Sequence, residues 1–322
     1  MHLNIVGTIV KNEREGKNVS VFYESVWHGG KMQHIKRKEN NMVLREEWKT
    51  KEDGGEILLL KYPLLEETGI VKHCFTTRIG GVSEGIFSSM NLSFTRGDDK
   101  EAVETNFRRL ADAMDVDYEK FVFTDQTHTT NIRKVTAEDA GKGLTRARDY
   151  TDVDGLITDV PELVLSTFFA DCVPLYFVDP VHPAIGMSHS GWRGTVGRMG
   201  AVTIAAMERE YGSKPKDLIC AVGPSICQDC YEVSWDVAEA FRREFGACAE
   251  EFLRLGRCVE GEQKYQLDLW KANERILLEA GVKKEHLAVT DICTCCNPQI
   301  LFSHRASHGK RGNLGGFLCL KE

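Results

Sequence analysis

Residues 170–197 read A-D-C-V-P-L-Y-F-V-D-P-V-H-P-A-I-G-M-S-H-S-G-W-R-G-T-V-G. Cys172 closes one short apolar run, 164–170, and His189 closes another, 184–188. Both runs are brief and flanked by Pro or Gly, so each reads as a buried strand. Gly191, Gly194 and Gly197 follow His189 and open a helical pattern over 188–211, with Ser190 as its candidate N-cap. A Cys and a His at neighbouring strand ends, beside a Gly-rich helix start, predict a pocket for a metal and an anion. Arg193 and Arg198 add positive charge to it.

Outward from this stretch, the composition is that of a globular chain. Its 322 residues are 42% hydrophobic and 28% charged, enough for one large or two modest domains. A net charge of −7 argues against a nucleic-acid scaffold. No apolar run approaches the roughly 20 residues that span a bilayer, so no membrane partner is expected. The opening M-H-L-N-I-V-G-T-I-V is not read as a signal peptide, because no charged segment precedes an apolar core. With 11 cysteines and no secretion signal, reduced thiols in a cytoplasmic protein are expected.

The remaining pattern interleaves strands and helices. Strands are expected at 3–10, 19–23, 57–62, 74–77 and 316–320. The charge-rich 31–45 reads as a solvated face or hairpin. Over 98–115, Val103, Phe107, Leu110 and Met114 form one apolar stripe behind a cap at Asp98 or Asp99, which predicts a packing helix. Helices are also expected at 235–245 and 267–280. Many of the strands are Gly-rich and hairpin-like, which favours a mixed α/β core of layered sheets over a doubly wound fold. Residues 1–61 read as an N-terminal extension whose strands pack on the core, and 62–322 as the catalytic domain.

Two ligand sets compete for a metal. Cys227-x-x-Cys230 and Cys293-x-x-Cys296 resemble a zinc knuckle, but the usual gap between such pairs is about 15–20 residues and here it is far longer. These cysteines are therefore expected to be core or partly exposed thiols. The second set is His128, Cys172 and His189, whose two imidazoles and one thiolate leave a fourth position open, as in a catalytic zinc site. Copper takes the same donors, and Met187, two residues from His189, lies on the same strand face as a possible axial ligand. From the residues alone, Cys172 remains open among metal ligand, nucleophile and buried structural thiol. Gln126 and Asp125 are candidates to orient His128. The 152–155 segment D-V-D-G reads as a turn or a weak cation site. Arg78, after a strand and before a Gly-rich turn, reads as a solvated loop residue or an anion contact.

Taken together, F-T-T-R-I-G-G-V-S-E-G, S-M-N-L-S, D-Q-T-H, D-V-D-G-L-I-T, A-D-C-V-P-L, S-H-S-G-W-R-G, G-P-S-I-C-x-x-C-Y-E-V and L-F-S-H-R make the chain similar to the YfiH/YlmD-type, laccase-domain (polyphenol oxidase) family from about residue 62 onward. The resemblance implies a single-domain layered α/β/β/α sandwich with a zinc on His128, Cys172 and His189. It further implies purine nucleoside phosphorylase activity on adenosine, inosine, guanosine and methylthioadenosine, with adenosine deaminase activity alongside. Phosphorolysis needs an anion site and stabilisation of a cationic sugar. Arg78, Arg193 and Arg305 are the expected phosphate or purine contacts, and Asn91 and Ser93 the expected hydrogen-bonding wall. The expected partners are a nucleoside and phosphate, acting on a monomer or homodimer. The chain departs from the family pattern at Thr129, where Gly is usual, and at Ser190, where Ala is usual. The first of these is expected to alter pocket width.

The alternatives are a copper-dependent polyphenol oxidase, a Cys/His amidase editing a peptidoglycan precursor, and a noncatalytic metal-binding protein. A multicopper cluster is disfavoured because the chain has no His-x-His pair. A serine hydrolase is set aside, and the H-x-E…P-C-x-x-C deaminase signature is absent.

Overall fold

Two six-stranded sheets carry the molecule, each assembled from strands distant in sequence. The structure, a computed structural model, describes residues 4–5, 23–28, 31–36, 43–50 and 55–322. The chain divides into two compact units, Met1–Val43 and Leu44–Glu322. In the first, β1 (Asn4–Ile5), β2 (Tyr23–His28) and β3 (Lys31–Lys36) form an antiparallel sheet in that order. The expected strands 3–10 and 19–23 otherwise lie outside the described residues.

In the second unit, the first large sheet runs β4 (Arg45–Thr50), β5 (Glu56–Lys61), β6 (Val71–Thr76), β18 (Leu314–Leu320), β10 (Val164–Phe169) and β7 (Phe121–Phe123). The strands β4 and β5 of the expected extension thus form the edge of this sheet. The second runs β17 (Leu287–Val289), β13 (Ile219–Val222), β11 (Val173–Asp179), β12 (Ala184–Ser190), β9 (Gly155–Thr158) and β8 (Ile132–Lys134). A small antiparallel sheet, β14 (Glu232–Val233), β16 (Glu262–Leu267) and β15 (Leu253–Val259), flanks it in sequence.

The two large sheets stack through β10 and β18 against β12. Every residue of β11, β12 and β18 is buried, the continuous apolar pattern of strands covered on both faces. Two fully buried tyrosines join the layers: the Tyr62 hydroxyl donates to the Val222 carbonyl (3.0 Å) and the Tyr176 hydroxyl to the Cys74 carbonyl (3.0 Å). Buried polar groups need such partners. On the outer face of the first sheet lies α2 (Lys100–Met114), which follows the four-residue α1 (Pro63–Glu66). Its predicted stripe, Val103, Phe107, Leu110 and Met114, is buried, and Asp99 caps it by accepting from the Ala102 N–H (2.8 Å). The outer face of the second sheet carries α4 (Met199–Tyr211) and α6 (Leu269–Glu279), joined by α5 (Trp235–Phe245) in one apolar cluster. The result is the layered α/β/β/α architecture expected from the sequence.

One local expectation fails. The helix predicted over 188–211 is two helices, α3 (Trp192–Val196) and α4, because Arg198 adopts a left-handed backbone (φ 55°). Ser190 does not cap either one. It is the last residue of β12, paired with Val173, and its hydroxyl is bonded to Asn273 and Thr195. Five residues give α3 almost no dipole to aim at an anion.

The loop after β6 depends on Gly80. Its φ is +100°, and a Cβ there would lie 2.4 Å from the Glu56 carbonyl oxygen and 2.6 Å from the Ile57 Cα. Gly85, in the same loop, has φ +57°, and a Cβ there would meet nothing within 4 Å. We predict that Gly80→Ala lowers unfolding free energy by at least about 3 kcal/mol and Gly85→Ala by about 1 kcal/mol. Urea denaturation of the two variants checks the ranking, and equal losses would contradict the tight approach of this loop to β5.

Candidate metal centre

The antiparallel pairing of β11 with β12 sets Pro174 opposite His189. Cys172 sits one residue before β11, so strand register alone brings the thiol to the imidazole. The third group, His128, arrives on the loop after β7, with a left-handed backbone (φ 67°). One ligand atom from each of His128, Cys172 and His189 lies within 4.8 Å of the other two. His189 is buried, Cys172 half-buried and His128 exposed. The imidazoles meet edge to face at 4.9 Å between centroids.

The arrangement is held by Asp154, fully buried just before β9. Its Oδ1 bonds the Nδ1 of His189 (2.8 Å), and its backbone carbonyl accepts from the His189 N–H (2.8 Å). The same carboxylate accepts backbone N–H groups from Thr127 (3.0 Å), His128 (3.1 Å) and Thr129 (2.9 Å). One carboxylate therefore fixes the loop of His128 and the ring of His189. With Nδ1 committed to Asp154, His189 is left its Nε2 as a ligand atom, the carboxylate–histidine arrangement common at metal sites.

Several expectations change here. Gln126 and Asp125 do not orient His128. The Gln126 amide is consumed by the Phe168 backbone (2.7 and 2.8 Å) and the Thr124 hydroxyl (2.9 Å), and Asp125 is paired with Arg148 (2.7 Å). Thr129 does not line the cavity, and its hydroxyl donates to Asp154 (3.0 Å), adding a bond that glycine would lack. Met187 packs between the sheets, where its Cε lies 2.1 Å from the position a Gly316 Cβ would take, and it does not line the cavity either. The 81–85 segment G-V-S-E-G carries G-x-S-x-G spacing, yet Ser83 is buried and its hydroxyl accepts from Asn106 (3.0 Å), so it is no exposed nucleophile.

Electrostatics favour a bound cation. Burial pushes the Cys172 thiol up, but His189 and His128 outweigh it and bring the group down to about 6. Burial pulls His189 down, while Cys172 and Asp154 together raise it to about 9. Without a metal these groups form a thiolate–imidazolium pair. A divalent cation can replace the imidazolium proton, and the donor set of two imidazoles and a thiolate fits zinc. Space is reserved as well, since a Cβ on Gly191 would stand 3.1 Å from both Cys172 Sγ and His128 Cδ2.

The three residues open onto a cavity of about 390 Å³, within the usual range for small-ligand sites. Phe94, Phe123, Phe168 and Phe169 give it aromatic walls, and Arg96, Arg148 and Arg311 give it charge. Arg311 is 8% exposed and makes no ion pair among the described residues. It donates to the Gly312 carbonyl (3.2 Å) and the Asn313 side chain, and its Nε has no partner. Burial and the nearby Arg96 pull it down to about 10, so it is still a cation at neutral pH.

Of the expected contacts, only Ser93 lines this cavity. Asn91 is buried behind it, bonded to Ser93, Asp98 and Asn313, and shapes the wall rather than facing the interior. Arg78 is spent on the Ser88 and Pro298 carbonyls (2.7 and 2.8 Å) and stacks on Phe302. Arg193 is exposed and stacks on Trp192. Arg305 donates to the Cys230 and Glu232 carbonyls (3.1 and 2.9 Å). Sequence reasoning missed Asp154, Arg96 and Arg311. The D-V-D-G segment was the available signal for the first, and the K-R-G-N run at 310–313 for the last.

Residues 72–321 match the family described as multi-copper polyphenol oxidoreductase laccase. The chain is 37% identical to purine nucleoside phosphorylase YlmD of Bacillus subtilis over 252 residues, 77% of this chain and 88% of that one. Among solved structures, it resembles YfiH of Bacillus licheniformis with a TM-score of 0.76 and 35% identity, covering 82% of this chain and 96% of that one. It resembles YlmD of Geobacillus stearothermophilus with a TM-score of 0.75 and 34% identity, covering 86% of this chain and all of that one. Among the described residues, no helix is long and apolar enough to cross a membrane.

The depressed Cys172 thiol gives a direct prediction. In metal-stripped protein, alkylation of Cys172 by iodoacetamide, followed by mass spectrometry, should rise with pH through about 6, since the thiolate is the reactive form. His189→Gln removes the stabilising imidazolium and should move that rise up toward an ordinary thiol, about 8.5. A wild-type rise only above pH 8 would contradict the pair.

Proposed function

The chain belongs to that laccase family, and on this premise we propose that it is a zinc-dependent purine nucleoside phosphorylase, acting on adenosine, inosine, guanosine and methylthioadenosine, with adenosine deamination in the same cavity. The observation that carries the reading is Arg311, a buried guanidinium with an unpartnered Nε, in the wall of the cavity that holds the Cys/His trio. Such a cation is costly to bury unless an anion joins it. Phosphate is the anion that phosphorolysis requires.

In this reading Arg311 and Arg96 seat phosphate, and the half-buried faces of Phe94 and Phe168 take the purine. A phosphate oxygen bonds to ribose C1′ as the C1′–N9 bond breaks, and the purine leaves with the electron pair and takes up a proton. Positive charge grows on the sugar in the transition state, so an anion fixed beside it lowers the barrier. His128, Cys172 and His189 would hold the zinc, which supplies Lewis acidity when bound. Asp154 keeps both histidine elements in place. Deamination exchanges the 6-amino group of adenosine for oxygen from water, with release of ammonia. Zinc is favoured over a blue-copper centre because no methionine lines the cavity.

The test is product analysis of adenosine with and without phosphate on zinc-loaded protein. Adenine and ribose 1-phosphate should form only with phosphate, and inosine in both cases. Arg311→Met should raise the KM for phosphate at least about tenfold, the loss of one charge-assisted contact, and lower the ratio of phosphorolysis to deamination. No purine product under any condition would overturn the proposal. Release of an amino acid from a nucleotide-linked muramyl peptide would favour the amidase instead.

A further inference from the structure

The four cysteines set aside on sequence grounds come together in space. The reason is topological. β13 and β17 are parallel neighbours, and the segments that leave them stay paired beyond the strands. The Thr290 N–H donates to the Val222 carbonyl (3.0 Å) and the Thr294 N–H to the Ser225 carbonyl (3.1 Å). This closes a gap of 66 positions between Cys227 and Cys293. The four are core or partly exposed thiols as expected, but they are neighbours in space, because chain distance is the wrong measure when two adjacent parallel strands each deliver a Cys-x-x-Cys turn.

The sulfurs of Cys227, Cys230, Cys293 and Cys296 all lie within 4.8 Å of one another. Cys230 to Cys296 is 3.4 Å and Cys227 to Cys296 is 4.0 Å. A tetrahedral tetrathiolate with bonds of about 2.3 Å has sulfur–sulfur edges of about 3.8 Å. The Cys227 N–H donates to the Cys293 sulfur (3.2 Å), which ties the two turns together at the cluster. None of the four is in a disulfide. By contrast, Cys74, Cys220 and Cys319 are fully buried and lie outside any such cluster among the described residues.

We propose that Cys227, Cys230, Cys293 and Cys296 bind a second, structural zinc ion in a closed tetrathiolate site, separate from the Cys/His trio. Four protein sulfurs leave no position for substrate, so this ion acts on the fold. Its place in the fold gives it a reach toward the cavity. Asp171, which precedes Cys172, accepts from the Thr294 hydroxyl (2.7 Å) and the Arg305 N–H (2.7 Å), and its carbonyl accepts from the Ile226 N–H (3.0 Å). Arg305 in turn donates to the Cys230 carbonyl (3.1 Å). The second zinc thus clamps the two turns against which Asp171 holds Cys172.

The test counts metal on the full chain, loaded with zinc and desalted, by plasma mass spectrometry. Wild type should carry two zinc ions per chain, Cys172→Ala one, and Cys227→Ser/Cys296→Ser one. X-ray absorption on Cys172→Ala should find four sulfurs at about 2.3 Å around its remaining zinc, which decides the matter even where the double variant fails to fold. One zinc in wild type that Cys172→Ala abolishes would overturn the proposal. So would two zinc ions in the double variant, a Cys230–Cys296 disulfide in the purified protein, or iron in place of zinc at the four sulfurs.

Discussion

The buried carboxylate of Asp154 is the constraint on which the site depends. Among the described residues its ion-pair partner is His189, and it gathers three backbone N–H groups from one loop together with a ring nitrogen from a strand. Those donors hold it below the ordinary carboxylate range against the opposing effect of burial. The backbone of 127–129 presents its N–H groups this way with a left-handed turn at His128. The carboxylate thus determines where a histidine from one side of the molecule meets a cysteine and a histidine from the other. Removing it would take the acceptor from five donors and release the His189 ring and the His128 loop, and loss of such outer partners commonly costs tenfold to a hundredfold in metal affinity.

The cavity beyond it has unbalanced charge. Arg148 is neutralised by Asp125, whereas Arg96 and Arg311 have no ion pair among the described residues. Two cations share a wall with the two imidazoles and one thiolate of the trio. A metal adds to that positive charge and increases the attraction for an anion. In the proposed function, metal and phosphate would therefore be complementary ligands of one pocket, each favouring the binding of the other.

Much of this was legible in the sequence. The trio could be read because strand ends are marked by Pro and Gly, and the helix over 100–114 because its apolar stripe is regular. Asp154 was hidden, since Asp-Gly before a strand looks like a turn and its role arises only from the pairing of β9 with β12. Arg311 was hidden because a basic run beside glycines reads as solvated, while here it is buried in the cavity wall just before β18. The proximity of the cysteine pairs was hidden by their spacing, which the parallel pairing of β13 with β17 makes irrelevant. Arg198 broke a helix that its apolar neighbours would have continued. For Asp154 and the cysteine pairs the missing information was a long-range strand partner rather than a local preference.

In the proposed function, the metal trio and the anion seat serve one reaction in one cavity. Crystals of the zinc-loaded protein soaked in ribose 1-phosphate, with anomalous data at the zinc edge, test it directly. Zinc is expected on His128, Cys172 and His189 and the phosphate group against Arg311 and Arg96, with ribose C1′ facing the cavity interior. Phosphate bound elsewhere, with Arg311 left without an anion, would contradict it.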